Sequence, residues 1–103
     1  VDILDFLKTY DITFSTGFQF RSTHILERIN LDVELRDKAR KLFRKQNTNQ
    51  EVVDKLVGEL TGMGFAEIIN EQDGTYKVTA AFRYAEDMVN LITIYNEEDT
   101  PEV

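Results

Sequence analysis

The feature of the sequence with the clearest chemical potential is a run of cations just before its midpoint. Residues 36–45 hold six of the chain's twelve Lys and Arg residues. Cations at this density can neutralise the phosphates of a nucleic acid or the carboxylates of an acidic protein. They can also form a solvated helix face, in which cations near the helix C-terminus interact favourably with the helix dipole. The residues that we single out for contact with nucleic acid or an acidic partner are Arg36, Arg40, Lys41, Arg44 and Lys45.

No residue pattern predicts catalysis. His24 is the one histidine, and Ser22 and Thr23 beside it do not supply a nucleophile, a base and an orienting group together. We interpret His24 as a surface or capping residue. The carboxylates near the C-terminus lack the spacing of a calcium loop, and there is no cysteine. We therefore predict that the chain is not an enzyme and has no catalytic residue, metal or cofactor.

Length and composition predict one small folded unit. The 103 residues are 42% apolar and 30% charged, which suits a single hydrophobic core. We predict one domain over residues 1–96 and an acidic, disordered tail over 97–103. No stretch predicts a membrane span or a signal peptide, and the lack of cysteine fits a reducing compartment, so we expect a cytoplasmic protein.

Charge is unevenly distributed along the chain. The net charge is −7, and residues 51–103 carry twelve Asp and Glu against three Lys and Arg. A protein that takes its affinity from neutralising phosphates needs a basic face. The acidic second half therefore lowers the expectation of nucleic-acid binding.

Hydrophobic periodicity predicts an α+β fold. Apolar residues at helical spacing predict helices over residues 2–9, 24–29, 32–45, 50–61 and 81–95. Side-chain oxygens placed to cap these helices belong to Ser22 or Thr23, Asn30 or Asp32, and Thr48 or Asn49. Gly62 and Gly64 are expected to end the fourth helix.

Alternating patterns predict the strands. Residues 65–70 and 75–80 flank Asp73 and Gly74, a pair that can adopt positive φ in a hairpin turn. Residues 12–14 and 18–20 also alternate, which predicts a small hairpin or a lone strand. The aromatic residues are expected to pack in the core rather than form a stacking platform for single-stranded nucleic acid; they are Phe14, Phe18, Phe20, Tyr76, Phe82 and Tyr84.

This order of helices and hairpin resembles the winged helix-turn-helix fold. The segment from Leu56 to Ile68 is similar to the end of a third helix entering a strand, and the segment from Asp73 to Ala81 is similar to the return strand of a wing leading into a last helix. The second segment is also similar to the MukE-like and MksE-like subunits of bacterial condensins. That resemblance implies winged helices that bind a kleisin partner. Those proteins generally carry two such domains, whereas 103 residues leave room for one.

The resemblance to a DNA-reading fold does not extend to its chemistry. The solvent face of the helix over 50–61 offers Glu51, Asp54, Lys55 and Glu59, and the predicted wing tip over 71–74 has no cation. Base-edge and phosphate contacts require Arg, Lys, Asn or Gln at these places. The charge sign therefore favours a protein partner.

Three functional hypotheses follow. The first is a non-enzymatic winged-helix-like interaction domain, within a condensin-like chromosome-maintenance complex or a regulatory complex, that docks on a protein partner or a second copy to form a dimer. Its contact residues are predicted to be Met88, Leu91, Ile92 and Tyr95, although the same stripe can complete the monomer core. The second is a DNA-binding transcriptional regulator that uses the basic residues 36–45. The third is an inhibitor that imitates DNA with its acidic half.

Overall fold

The computed structural model describes residues 3–88, and it has the predicted α+β class. In chain order the elements are α1 (Ile3–Tyr10), β1 (Gln19–Arg21), α2 (Ser22–Leu31), α3 (Val33–Leu42), α4 (Asn49–Gly62), β2 (Ala66–Asn70) and β3 (Thr75–Val78). A further helix, α5, begins at residue 82 and is described as far as 88. The predicted tail over 97–103 lies outside the described residues.

Two of the predicted helix caps are confirmed. Asp32 Oδ1 accepts a hydrogen bond from the Leu35 amide at 3.2 Å at the start of α3. Thr48 Oγ1 accepts one from the Glu51 amide at 3.1 Å at the start of α4. The cap expected at Ser22 or Thr23 is wrong, because α2 begins at Ser22 itself and follows β1 directly. The cap residue is Arg21, whose side chain makes no capping hydrogen bond. Helix α2 is also longer than predicted.

Helix α3 ends three residues earlier than predicted. Phe43 leaves the helical conformation at φ −126° and ψ 64°, and its side chain packs against the core. A turn follows, closed by a 3.1 Å hydrogen bond from the Gln46 amide to the Phe43 carbonyl. Arg44 and Lys45 therefore lie in a turn between helices, where their side chains are exposed, and not on a helix face.

The end of α4 confirms the predicted glycine stop. Gly64 has φ 79°, a conformation that side chains other than glycine rarely adopt. The Phe65 amide donates to the Leu60 carbonyl at 2.9 Å and the Gly64 amide to Thr61 at 3.1 Å. These two bonds are those of a Schellman motif, which satisfies carbonyls at the end of the helix. The chain then turns directly into β2.

The strands form one antiparallel sheet in the order β1-β3-β2. Strand β3 pairs on one side with β1, placing Phe20 opposite Tyr76, and on the other with β2, placing Ile68 opposite Tyr76. The predicted hairpin of 65–80 is present, although Asp73 does not take positive φ and only Gly74 does, at 68°. The four-residue loop is instead held by Asn70, whose Oδ1 accepts from the Gln72 amide at 3.0 Å.

Of the two options for residues 12–20, the lone strand is confirmed and the hairpin is wrong. Residues 12–14 do not pair with β1, because Asp11 Oδ1 accepts from the Thr13 amide at 2.9 Å and closes a local turn. Ile12 is then 83% exposed, whereas Phe14 is fully buried. Strand β1 pairs instead with β3, which lies more than fifty residues later in the chain.

The described elements share one hydrophobic core. Phe14 lies within 5.5 Å, between ring centroids, of Phe18, Phe20 and Phe82. These contacts bring together the loop after α1, strand β1 and the start of α5, which confirms the predicted core role of these aromatics. Tyr84 is the exception, since it is 74% exposed. Among residues 3–88 there is no helix with the length and apolar character that crossing a membrane requires.

Candidate functional site

The structure divides the five predicted contact cations into two groups. Arg36 and Arg40 are half-buried and are used within the fold. The Arg36 guanidinium donates to the Asn30 carbonyl at 3.4 Å, and the Arg40 guanidinium donates to the Gln46 carbonyl at 3.1 Å and to Asn49 Oδ1 at 3.0 Å. Arg40 therefore ties the end of α3 to the start of α4. Because both guanidinium groups already donate hydrogen bonds within the fold, Arg36 and Arg40 are poor candidates for ligand contact.

Lys41, Arg44 and Lys45 form the second group. All three are exposed, and none makes an ion pair or hydrogen bond to another residue of the part that the structure describes. Together with Leu42, Phe43, Gln46 and Lys55 they line a concavity of about 290 Å³. We call this concavity the basic cleft.

The outward face of α4 beside the cleft is acidic. Glu51 and Asp54 are exposed on it, and Lys55 is engaged with Glu59 at 3.3 Å. Asp54 also accepts a hydrogen bond from Gln50 at 2.9 Å. The face predicted from sequence to have the wrong sign for DNA therefore carries exposed carboxylates, and its one lysine is paired.

Two large apolar side chains are exposed on α5, beside the exposed and charged Arg83 and Asp87. Tyr84 is 74% exposed and Met88 is 60% exposed, and the two are one helical turn apart. Met88 belongs to the stripe predicted to contact a partner. The other members of that stripe, Leu91, Ile92 and Tyr95, lie outside the described residues. We call Tyr84 and Met88 the α5 patch.

The start of α5 is fixed to the body of the fold. Phe82 is 2% exposed, and its ring lies 5.5 Å from that of Phe14 and 6.0 Å from that of Phe65. Lys8 on α1 forms a 3.1 Å ion pair with Glu86. The helix is thus anchored by one face while the α5 patch faces solvent.

A second concavity, of about 750 Å³, lies between the helical pair α1 and α2 and the sheet. Tyr10 and His24 line it, with 2.6 Å between the Tyr10 hydroxyl and His24 Nδ1. Burial raises the pKa of Tyr10 to about 12, against a smaller opposing effect of Arg28. Hydrogen bonds from Thr13 lower the pKa of Asp11 on the same rim.

This Tyr10 and His24 pair was missed by the sequence reasoning. The two residues are fourteen apart and belong to different helices, and no local pattern signals their contact. His24 is exposed, as predicted, but it bonds to Tyr10 rather than capping a helix. Ser22 is not among the residues that line this concavity, whereas Thr23 and Thr75 are. Within residues 3–88, no three His, Asp or Glu residues are grouped to hold a metal ion.

Comparison with known proteins identifies one family. The family model described as "Condensin complex protein MksE" matches residues 1–89, which includes the whole described part of the chain. Comparison with the curated proteins gave no significant match, and comparison with the solved structures gave none.

Proposed function

The chain belongs to the MksE family of condensin complex proteins, and from this premise we propose that it is a non-catalytic interaction subunit of a chromosome-maintenance complex in the cytoplasm. The observation that carries the proposal is the family match over 89 of the 103 residues. In such a complex the chain contributes binding surface rather than a reacting group.

We also propose that the fold is a winged helix. Support comes from the element order, in which α2, α3 and α4 precede a two-stranded hairpin, and from the pairing of the early strand β1 with β3. On this proposal α4 occupies the position of the reading helix, and β2 and β3 form the wing. The acidic face of α4 supports use of the fold as a scaffold for protein binding.

The partner surface on this proposal is the α5 patch, continued along the sequence by Leu91, Ile92 and Tyr95. Large apolar side chains on an exposed helix face are typical of a helix that docks into another subunit. The anchoring of Phe82 and Glu86 supports the idea, because a helix held by the core presents its outer face with little loss of entropy on binding. The resemblance to kleisin-binding subunits makes a kleisin-type protein the expected partner.

The test is calorimetric titration of the chain with the kleisin-type subunit of its own complex. The double variant Tyr84→Ser and Met88→Ser should bind about tenfold or more weakly, because central apolar contacts dominate interface energies. Ile12→Ser is the matched control, since Ile12 is also apolar and 83% exposed but lies outside α5. It should bind as the unaltered chain does.

Two results would contradict the proposal. Unaltered affinity of the double variant would remove the α5 patch as the contact surface. A failure of the unaltered chain to bind the kleisin-type subunit at all would remove the proposed partner. Thermal unfolding of each variant serves as the folding control, and exposed positions should leave the melting temperature nearly unchanged.

The regulator hypothesis stays as a second candidate because Lys41, Arg44 and Lys45 are free of partners within residues 3–88. Duplex DNA binding that weakens with salt and is lost in Lys41→Glu with Arg44→Glu is its expected outcome. Arg40 is not a suitable target for this test, since its substitution would disturb the α3 to α4 connection.

A further inference from the structure

We propose that the basic cleft is a binding site for an acidic polypeptide segment, and that its occupant is residues 97–102 of the same chain. This segment carries Glu97, Glu98, Asp99 and Glu102 and has no cation. The inference does not depend on the proposed kleisin partner, because it concerns a contact within one molecule.

The first argument is the distribution of unpaired cations. All twelve Lys and Arg residues lie within residues 3–88, and seven of them make an ion pair or a hydrogen bond: Lys8, Arg21, Arg28, Arg36, Lys38, Arg40 and Lys55. Five do not, and three of these five stand together as Lys41, Arg44 and Lys45. Like charges repel when no counter-charge is near, so an acidic protein that groups its unpaired cations favours an anionic occupant there.

The second argument is the composition of the cleft. Its walls include the half-buried side chains of Leu42 and Phe43 beside the cations. An apolar surface next to positive charge suits a polypeptide, which brings carboxylates and carbon-rich groups together. A duplex suits it less well, because a duplex is wide and would also face the exposed carboxylates of Glu51 and Asp54 on α4.

The third argument is reach. Phe82 contacts Phe65, which lies just past the C-terminal end of α4. The cleft lies toward the other end of α4, because it is formed by residues 41–46, which precede that helix, together with Lys55. A helix of fourteen residues is about 21 Å long. Residue 88 lies six residues past Phe82 on α5, which adds at most about 9 Å to the distance. The eleven residues from 89 to 99, when extended rather than helical, can span about 36 Å. The acidic segment can therefore reach the cleft of its own molecule, where tethering gives it a high effective concentration.

The experiment compares amide NMR spectra of the full chain and of a chain that ends at Asn96. The shortened chain should fold, because the buried core residues identified in residues 3–88 run from Phe6 to Phe82. We expect truncation to shift the amide signals of residues 41–46 and Lys55. About 0.5 M salt should produce the same shifts in the full chain, since it screens exposed ion pairs. A synthetic peptide of residues 96–103, added to the shortened chain, should reverse them.

Matched charge reversals make the test specific. In Lys41→Glu with Arg44→Glu and Lys45→Glu, truncation should no longer change the spectrum. In Lys77→Glu with Arg83→Glu, which removes the two other unpaired cations of the described part, the effect of truncation should persist. A peptide carrying Glu97→Gln, Glu98→Gln and Asp99→Asn should bind about tenfold or more weakly than the unaltered peptide.

Several outcomes would overturn the proposal. Identical spectra at 41–46 in the full and shortened chains would show that the segment does not occupy the cleft. Shifts that disappear when the full chain is diluted would place the contact between two copies. Duplex DNA binding of equal strength to both chains would show that the cleft is open to DNA. None of these results bears on binding of the kleisin-type subunit, so failure of this inference and of the proposed function can be told apart.

Discussion

Substitution of Phe14 by alanine is expected to destabilise the fold severely, whereas the same substitution at Ile12 should have almost no effect. Phe14 is fully buried among the rings of Tyr10, Phe18, Phe20 and Phe82, and Ile12 is 83% exposed. Removing a buried phenylalanine side chain costs about 3–5 kcal/mol through lost burial and the cavity left behind. An exposed substitution stays within about 0.5 kcal/mol.

Equilibrium unfolding in urea measures both effects. With a slope of about 2 kcal/mol per M for a small domain, Phe14→Ala should lower the midpoint by about 2 M. If that variant does not fold, Phe14→Leu keeps most of the volume but loses the ring contacts and should cost about 1–2 kcal/mol. Ile12→Ala should superimpose on the unaltered chain.

The pair of variants distinguishes two structures for the same segment. Alternation over residues 12–14 predicts a strand in which Ile12 and Phe14 share one face, so both substitutions would have similar costs. The turn closed by Asp11 and Thr13 places the two side chains in different environments. A loss of less than about 1.5 kcal/mol for Phe14→Ala, or an equal loss for Ile12→Ala, would refute the packing described here.

Three further predictions concern titration, capping and backbone conformation. Because burial raises the pKa of Tyr10 from 10.0 to about 12, the Tyr10 hydroxyl stays protonated to a higher pH in the folded state than in the unfolded chain. This contribution to the free energy of unfolding should be fully present below about pH 10 and should be lost as the pH rises toward 12. Tyr10→Phe should reduce that alkaline loss, as followed by thermal unfolding across the pH range. Asp32→Ala should cost about 1 kcal/mol because Asp32 caps α3, whereas Ser22→Ala should cost much less, since Ser22 makes no cap bond; urea midpoints compare the two. Gly64→Ala should destabilise by about 1 kcal/mol because of its positive φ. Gly58→Ala, within α4 and open to solvent, should instead stabilise by about 0.5–1 kcal/mol. Calorimetric melting temperatures should move in opposite directions, and equal shifts would contradict the backbone assignment.

Much of the fold was predictable because it depends on neighbouring residues. The apolar spacing of Val53, Leu56 and Leu60 is enough to mark α4, and all three are buried. The caps at Asp32 and Thr48 use bonds that span three residues, so the sequence contains both partners. The family resemblance was carried by the same local features, and the match over residues 1–89 confirms its MksE part.

The candidate site was less predictable because its properties depend on distant residues. Arg40 and Lys41 are adjacent in the same basic run, and nothing in that run distinguishes them. Arg40 meets Asn49 and Gln46 across the next turn, and Lys41 meets no partner in the described structure. Of the contact residues predicted on α5, only Met88 lies within the described residues, and it is exposed. The roles of Leu91, Ile92 and Tyr95 stay a prediction.

Local sequence patterns were enough to predict the α+β class, the order of most elements, the acidic character of α4 and the cluster of cations before it. The pairing of β1 with β3, the exposure of Ile12 and burial of Phe14, and the contact of Tyr10 with His24 became visible only in the folded chain. The difference arises from how far apart in sequence the interacting groups lie. Helix spacing, caps and tight turns are satisfied within a few residues, whereas strand pairing and the neutralisation of a cation require a partner whose position is set by the packing of the whole chain.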